Sequence, residues 1–184
     1  MSRIHALLAV LVTCALLALV PAPSVAIEDY PSYQPATKCA PKAKPGTKEL
    51  ARWLVKKYGG SRGPISRKCG GSTSEHTEGR ALDWTLNAER KADRRRAKRF
   101  LDRAFATDGR GHEHALARRM GIMYVIWNDH MYASYRTFEK EDYRSPSCRT
   151  LAGCSPTLRH RDHVHISLSR PGGRGDTSWY VARG

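Results

Sequence analysis

The sequence predicts an α+β domain in which helices pack on one side of an antiparallel sheet. Two segments, 47–58 and 88–106, carry apolar residues at helical spacing. A continuous apolar run, Ile122–Trp127, is followed by the turn pair Asn128-Asp129 and a second strand-like segment, which is typical of a hairpin. A last strand is predicted over His163–Leu168.

The first 46 residues precede the predicted domain. After Arg3, residues 6–20 form an almost unbroken apolar run that ends near the small residues Ser24-Val25-Ala26, the pattern of a secretory signal cleaved after Ala26. A lipid anchor on Cys14 is disfavoured, because that cysteine lies inside the apolar run. We therefore expect a signal peptide over 1–26, a Pro-rich extended arm over 27–46 and a domain over 47–184. No second apolar run has spanning length, so we expect a secreted protein without a transmembrane anchor.

The elements of the domain follow from local patterns. Thr47 can cap a first helix that ends at Gly59-Gly60. Residues 80–86 alternate as a strand, and a helix is predicted from about 88 to 106, followed by a short one over 115–120. In the longer helix the predicted apolar stripe comprises Ala92, Ala97, Phe100, Leu101 and Phe105, and the opposite face is basic. After the hairpin, residues 137–159 are predicted to form a loop.

The cysteines point to an oxidising compartment. Without Cys14, four cysteines remain, and an even number in a secreted chain predicts disulfides. Of the three possible pairings we favour Cys39–Cys69, which would tie the arm to the domain, together with Cys148–Cys154. Zinc thiolates are the rival interpretation, but no Cys-x-x-Cys pair is present.

The charge constrains the partners. The formal net charge is +15, which draws a protein towards polyanions. A secreted protein meets little nucleic acid, so anionic wall polymers or phospholipid headgroups fit the compartment better. Alternatively, the arginines only keep the surface solvated.

Two separated clusters suggest a metal site. His76 and Asp83 lie seven residues apart, and Asp162-His163-Val164-His165 comes far downstream. Two imidazoles and a carboxylate are a three-ligand set for zinc that leaves one position open, as catalytic zinc sites do. Because strand side chains alternate, His163 and His165 share a face while Val164 points to the core. A carboxylate at the strand mouth, Asp162, could accept a proton from a water that attacks an amide carbonyl.

At these residues the sequence resembles a known family. Ser74-x-His76-x-x-Gly79-x-Ala81-x-Asp83 matches every fixed position of the signature of zinc D-alanyl-D-alanine peptidases, members of the wider group that includes lysostaphin-like peptidases and the hedgehog signalling domain. Asp162-His163-x-His165 is similar to the second motif of that group. The resemblance implies the hedgehog/DD-peptidase fold, with zinc on His76, Asp83 and His165, Asp162 as general base and His163 as a polarising or stabilising group.

The same resemblance implies a secreted, cell-wall-associated zinc peptidase acting on peptidoglycan peptides. Carboxypeptidases of this group usually hold the substrate carboxylate with an upstream Arg, and both Arg62 and Arg67 are available. Neither has a Gly-Tyr-Arg context, so carboxypeptidase and endopeptidase action both remain open. We take Ser74 and Arg67 as candidate substrate-binding residues. The alternative function is a non-catalytic wall- or polyanion-binding module, and His112 with His114 around Glu113 is a weaker candidate metal cluster.

Overall fold

The fold is known from a computed structural model that describes residues 27–70 and 74–183. The predicted signal peptide lies outside these residues. Six strands form one antiparallel sheet in the order β1-β2-β6-β3-β4-β5. They are β1 (Ser61–Arg62), β2 (Ala81–Thr85), β3 (Ile122–Trp127), β4 (His130–Ala133), β5 (Lys140–Asp142) and β6 (His163–Leu168). The predicted α+β class is confirmed.

Alternation along the two central strands separates a core face from a site face. On β6, Val164, Ile166 and Leu168 belong to the main hydrophobic core. On β2, Leu82 and Trp84 point to the same side. The helices α1 (Pro45–Tyr58) and α2 (Lys91–Ala104) cover this face with side chains such as Leu50, Leu54 and Phe100. The intervening polar residues of β2 and β6 are therefore left on the opposite face.

The helix bounds differ from the predictions at their starts. The first helix begins at Pro45 rather than Thr47, because proline is favoured in the first helical turn, where its missing N–H costs nothing. Thr47 instead donates its hydroxyl to the Gly79 carbonyl at 3.0 Å. The second helix begins at Lys91, after a turn in which Asp93 Oδ2 accepts from the Asn87 N–H. Ala92, predicted in the apolar stripe, is exposed.

The predicted strand bounds agree with the structure better than the predicted helix starts do, whereas several of the shortest elements were not predicted. β3 and β6 have the predicted bounds. The predicted hairpin turn is present, with Asn128 and Asp129 both in the left-handed region, as a type I′ turn requires. The predicted loop contains the edge strand β5, and the glycine-rich tail contains two short helices, α4 (Arg170–Arg174) and α5 (Ser178–Val181). The short helix predicted over 115–120 is present as α3 (Ala115–Arg119), after α2.

The arm, residues 27–44, is extended as predicted but packs along the domain. Its backbone bonds to the turn that precedes β2, with Ala40 N–H donating to the Thr77 carbonyl and Lys44 N–H to the Gly79 carbonyl. At its start, Glu28 accepts hydrogen bonds from the backbone and hydroxyl of Ser178. These contacts make the arm part of the wall that holds the site.

Both favoured disulfides are present, Cys39–Cys69 and Cys148–Cys154. The first ties the arm to the segment that precedes the site, and the second closes the loop before β6. No helix in residues 27–70 and 74–183 is long and apolar enough to cross a membrane.

Candidate metal centre

Three elements bring the predicted ligands together. His76 lies in a 3₁₀ turn (Glu75–Glu78), Asp83 on β2 and His165 on β6. Asp83 and His165 are direct partners in the antiparallel register. Opposite residues of neighbouring strands project to the same side, so the pairing puts the carboxylate beside the imidazole. All three side chains are buried.

The first motif builds the turn that carries His76. Ser74 caps the turn, its Oγ accepting from the His76 N–H at 3.3 Å. Gly79 ends the turn at φ 67°, and a Cβ there would lie 2.2 Å from the Lys42 carbonyl oxygen of the arm. The left-handed conformation and the close backbone both favour glycine. The motif glycine thus lets the chain enter β2 directly after the histidine.

The ligand atoms form a small triangle. His76 Nε2, Asp83 Oδ1 and His165 Nδ1 are each 3.2 Å from the other two. Ligand atoms at ordinary zinc distances lie about 3.3 Å apart in a tetrahedral arrangement. The spacing and the N₂O donor set therefore fit one zinc ion. In residues 27–70 and 74–183 these three form the one group of His, Cys, Asp or Glu side chains with such convergence.

Outer hydrogen bonds turn the lone pairs inward. His76 Nδ1 lies 3.2 Å from the Ile65 carbonyl oxygen, which can only accept, so Nδ1 carries the proton in the neutral ring. His165 Nε2 lies 2.9 Å from Ser167 Oγ. With Nδ1 protonated, His76 points its Nε2 lone pair at a carboxylate oxygen and a second imidazole nitrogen. A proton or a metal cation between the three atoms relieves the repulsion in such an arrangement, and outer partners of this kind are usual for metal-binding histidines.

The electrostatics keep the ligands in their binding forms. Burial alone would raise the pKa of Asp83, but the adjacent His165 and His76 rings more than offset burial and hold that pKa far below its usual range. Burial lowers the pKa of His165. At neutral pH the triad therefore offers a charged carboxylate beside an imidazole held in its neutral form, as a divalent cation requires.

The predicted catalytic pair lies at the mouth of β6. His163 Nδ1 and Asp162 Oδ1 are 2.6 Å apart, and His163 Nε2 is 3.6 Å from Asp83 Oδ1. Asp162 Oδ2 also accepts from the Thr157 hydroxyl at 2.5 Å. Partial burial would raise the pKa of Asp162, but the bonds from Thr157 and His163 lower it below its usual value. Asp162 is thus a carboxylate at neutral pH, next to a histidine that reaches the triad.

Asp162 also lines a groove of about 460 Å³ between the end of β2 and the start of α2. Arg90 and Arg96 lie on the groove wall. The side chain of Asp162 is 45 % exposed, so this carboxylate is accessible to a ligand while the metal ligands are not.

The two candidate arginines differ in position. Arg67 Nη2 is 3.6 Å from Asp83 Oδ2, with its side chain 54 % exposed. Arg62 pairs with Trp84, which faces the core, so its side chain projects away from the triad. Of the two, Arg67 is placed to meet a ligand at the site. Ser74 caps the turn that carries His76, and a substrate contact from it stays a prediction.

Two aromatic neighbours were not assigned by sequence reasoning. Tyr124 on β3 stacks on His165 with ring centroids 5.5 Å apart, and its hydroxyl donates to Glu75 Oε2 at 2.6 Å. His160 lies 4.8 Å from the His163 ring and 5.6 Å from the His165 ring. Burial, then the neighbouring histidines, lowers the pKa of His160 to about 3. The all-apolar pattern of β3 concealed the face of Tyr124, and His160 stands in a loop at φ 50°, which no periodicity describes.

The weaker candidate metal cluster does not assemble. His112 Nδ1 contacts both oxygens of Asp108, whereas His114 Nδ1 is 2.7 Å from the hydroxyl of Tyr30. The two rings therefore have separate structural partners.

Comparison with known proteins adds a family. The chain matches the family model described as VldE, C-terminal domain, over residues 39–150. The chain belongs to this family. The VldE C-terminal domain match includes His76 and Asp83 and ends before β6. No curated protein and no solved structure matches the chain. Because the family description names no activity, function has to be argued from the site.

Proposed function

We propose that the protein is a secreted zinc metallopeptidase that hydrolyses peptide bonds in peptidoglycan stem peptides or crosslinks. The observation that carries the proposal is the buried triangle of His76, Asp83 and His165, with a carboxylate–histidine pair beside it in which Asp162 is accessible. The two disulfides are compatible with an oxidising, extracellular compartment. The resemblance of both motifs to D-alanyl-D-alanine peptidases supports the substrate class.

The three triad residues would hold the zinc, which when bound supplies a Lewis acid for a carbonyl oxygen and activates water. Asp162, ionised and accessible, accepts the proton of the attacking water and delivers it to the leaving amine. His163 is oriented by Asp162 through Nδ1, so its Nε2 faces the triad and, when it also carries a proton, can stabilise negative charge on the carbonyl oxygen. The carboxylate–histidine pair thus gives the proposal a base and a stabilising group.

Substrate would approach the buried triad from the side on which Arg67 is exposed. Arg67 offers a guanidinium next to Asp83, where it can bind a substrate carboxylate or a peptide carbonyl. Both ligand types fit a stem peptide, so Arg67 supports carboxypeptidase and endopeptidase action alike.

A pair of isosteric variants tests the proposal. In Asp162→Asn, peptide hydrolysis should fall by about 10²- to 10⁴-fold, the usual contribution of a positioned acid–base group, while zinc content stays unchanged. In Asp83→Asn, zinc itself should be lost, because a neutral amide is a poor ligand. Zinc content and hydrolysis of purified muropeptides are measured on both variants and the wild type.

The substrates separate the remaining possibilities. Monomeric stem peptides report carboxypeptidase action, and crosslinked dimers report endopeptidase action. Near-normal turnover in Asp162→Asn would move the base to another residue, with His163 next. A wild-type protein that holds zinc, binds muropeptides and cleaves neither would contradict the enzymatic proposal and favour the wall-binding module.

A further inference from the structure

A second, basic cavity lies between the arm and the C-terminal turn. Its volume is about 260 Å³. Its charged lining consists of five cationic side chains and one carboxylate, namely Lys38, Lys44, Arg80, Arg170, Arg174 and Glu78. The cavity shares no lining residue with the metal triad or with the groove at Asp162.

The one carboxylate is already neutralised. Arg80 is buried, and its Nε donates to Glu78 Oε2 at 2.6 Å while its Nη1 donates to the Leu168 carbonyl at 2.7 Å. Glu78 Oε1 also accepts from the Thr37 N–H at 2.8 Å. The hydrogen bonds of the Glu78–Arg80 pair are therefore satisfied within the wall of the cavity, and Arg170, at 4.0 Å, is the one other cation of the lining that reaches Glu78.

The remaining cations carry a surplus of positive charge. Arg174 is paired with Asp176 at 2.6 Å. Within the described part of the chain, Lys38 and Lys44 form no ion pair. Arg170 is 4.0 Å from the neutralised Glu78. Like charges gathered in a concave surface focus the field and attract an anion of opposite charge.

The arginine is held in place before any ligand binds. Arg170 Nη2 donates to the Pro35 carbonyl at 3.0 Å and lies 3.3 Å from Thr37 Oγ1, while its backbone N–H donates to the side chain of Gln34. Its remaining guanidinium N–H groups are left for a ligand. A guanidinium fixed on one edge loses little side-chain entropy when it binds an oxyanion.

Close glycine packing fixes the floor of the cavity. A Cβ on Gly173 would lie 2.8 Å from the Arg80 Cβ, and one on Gly46 would lie 2.1 Å from the Gly172 carbonyl oxygen. The turn that carries Arg170 and Arg174 therefore sits directly against the start of α1. This close contact fixes the backbone from which Arg170 and Arg174 project into the cavity.

We propose that this cavity is a binding site for a phosphate group. Guanidinium forks and lysine ammonium groups are the usual side-chain ligands of phosphate, and the surplus of charge matches a doubly charged oxyanion better than a single carboxylate. The volume lies below the usual range for whole small-molecule ligands, so the cavity takes a phosphate with its immediate substituents. The site is independent of the metal centre.

Inorganic phosphate tests the site directly. Binding of inorganic phosphate to the full mature chain is measured by calorimetry. Chloride keeps the ionic strength constant, and a titration with chloride alone is the blank. We expect saturable binding that Lys44→Gln combined with Arg170→Gln weakens by about tenfold or more, since each loses a hydrogen bond to a charged group. Arg95→Gln combined with Arg99→Gln removes the same charge from the exposed face of α2 and should leave the affinity unchanged.

Two further ligands identify the chemical form of the phosphate. Glycerol 1-phosphate represents a monoester and dimethyl phosphate a diester, and tighter binding of either supports the site while naming its source. Equal loss in both double variants would show that binding follows net charge alone and would overturn the proposal, as would the absence of saturation by phosphate in the wild type. His76→Ala should keep phosphate binding, so failure here is distinguishable from failure of the peptidase proposal.

Discussion

At the scale of single residues, the outer hydrogen bond of each imidazole decides where its inner lone pair points. Ser167 lies on the same face of β6 as His163 and His165, and its Oγ is 2.9 Å from His165 Nε2. When this hydroxyl accepts from Nε2–H, it stabilises the tautomer that leaves Nδ1 free for a metal. Its contribution should appear in metal affinity rather than in the fold.

We expect Ser167→Ala to weaken zinc binding by about 10- to 100-fold, the usual effect of removing an outer-shell partner. Competition with a zinc chelator measures the affinity. Ser169→Ala is the matched control, because Ser169 is equally buried but caps α4 instead of contacting an imidazole. An unchanged affinity in Ser167→Ala would show that the stacking of Tyr124 alone orients His165.

The site shows how far single residues could be predicted. Spacing singled out the two clusters, the family resemblance implied His76, Asp83 and His165 as the ligands, and strand alternation put His163 on their face. The same alternation could have identified Ser167, two residues beyond His165. The Ile65 carbonyl was beyond prediction, because the contact depends on how the segment before the turn packs rather than on any side chain.

At the scale of elements, the β3–β4 turn is hydrogen-bonded to the loop that leads into Asp162 and His163. Asn128 N–H donates to the His160 carbonyl and Asp129 N–H to the Arg159 carbonyl. The Arg159 guanidinium adds a bidentate pair to Asp129, at 2.8 and 2.9 Å. These hydrogen bonds lower the pKa of Asp129 below its usual value.

The lowered pKa of Asp129 makes the stabilisation from the Asp129–Arg159 ion pair sensitive to acid. The stabilisation is present above the pKa of Asp129 in the unfolded chain, about 3.9, and is lost as pH falls through its lower folded value. Asparagine tolerates the left-handed conformation of this turn, so Asp129→Asn removes only the charge. It should lower the melting temperature at neutral pH, and the difference from the wild type should disappear in acid. Asp142→Asn, at a fully exposed carboxylate on β5, is the control. A loss of equal size at every pH would assign the effect to the turn instead of the charge.

Elements could be predicted where a continuous hydrophobic or alternating pattern determined them without help from neighbouring elements. β3 and β6 had six apolar or alternating residues bounded by turn residues, and their bounds were correct. The helix starts were displaced because proline and the Asn87–Asp93 contact set them. β5 and α4 depend on their neighbours, β4 and α1, so three to five residues alone gave no signal.

At the scale of the whole molecule, one face of the sheet belongs to the hydrophobic core and the other carries the candidate site. The helices bury one face in a continuous core, and the arm, the Cys39–Cys69 disulfide and the loops surround the other. The order β2-β6-β3 makes Asp83, His165 and Tyr124 neighbours although they are far apart in sequence. The motifs predicted the ligands. The path of the arm along the 3₁₀ turn could not be predicted from the sequence, because it depends on tertiary packing.

The metal content of the purified mature protein tests the central claim most directly. We expect about one zinc per chain by elemental analysis, since three convergent ligands describe a single site. His165→Ala should lose it, whereas His112→Ala, a histidine with a purely structural partner, should keep it. Full zinc occupancy in His165→Ala, or a wild-type chain that binds no metal, would contradict the account.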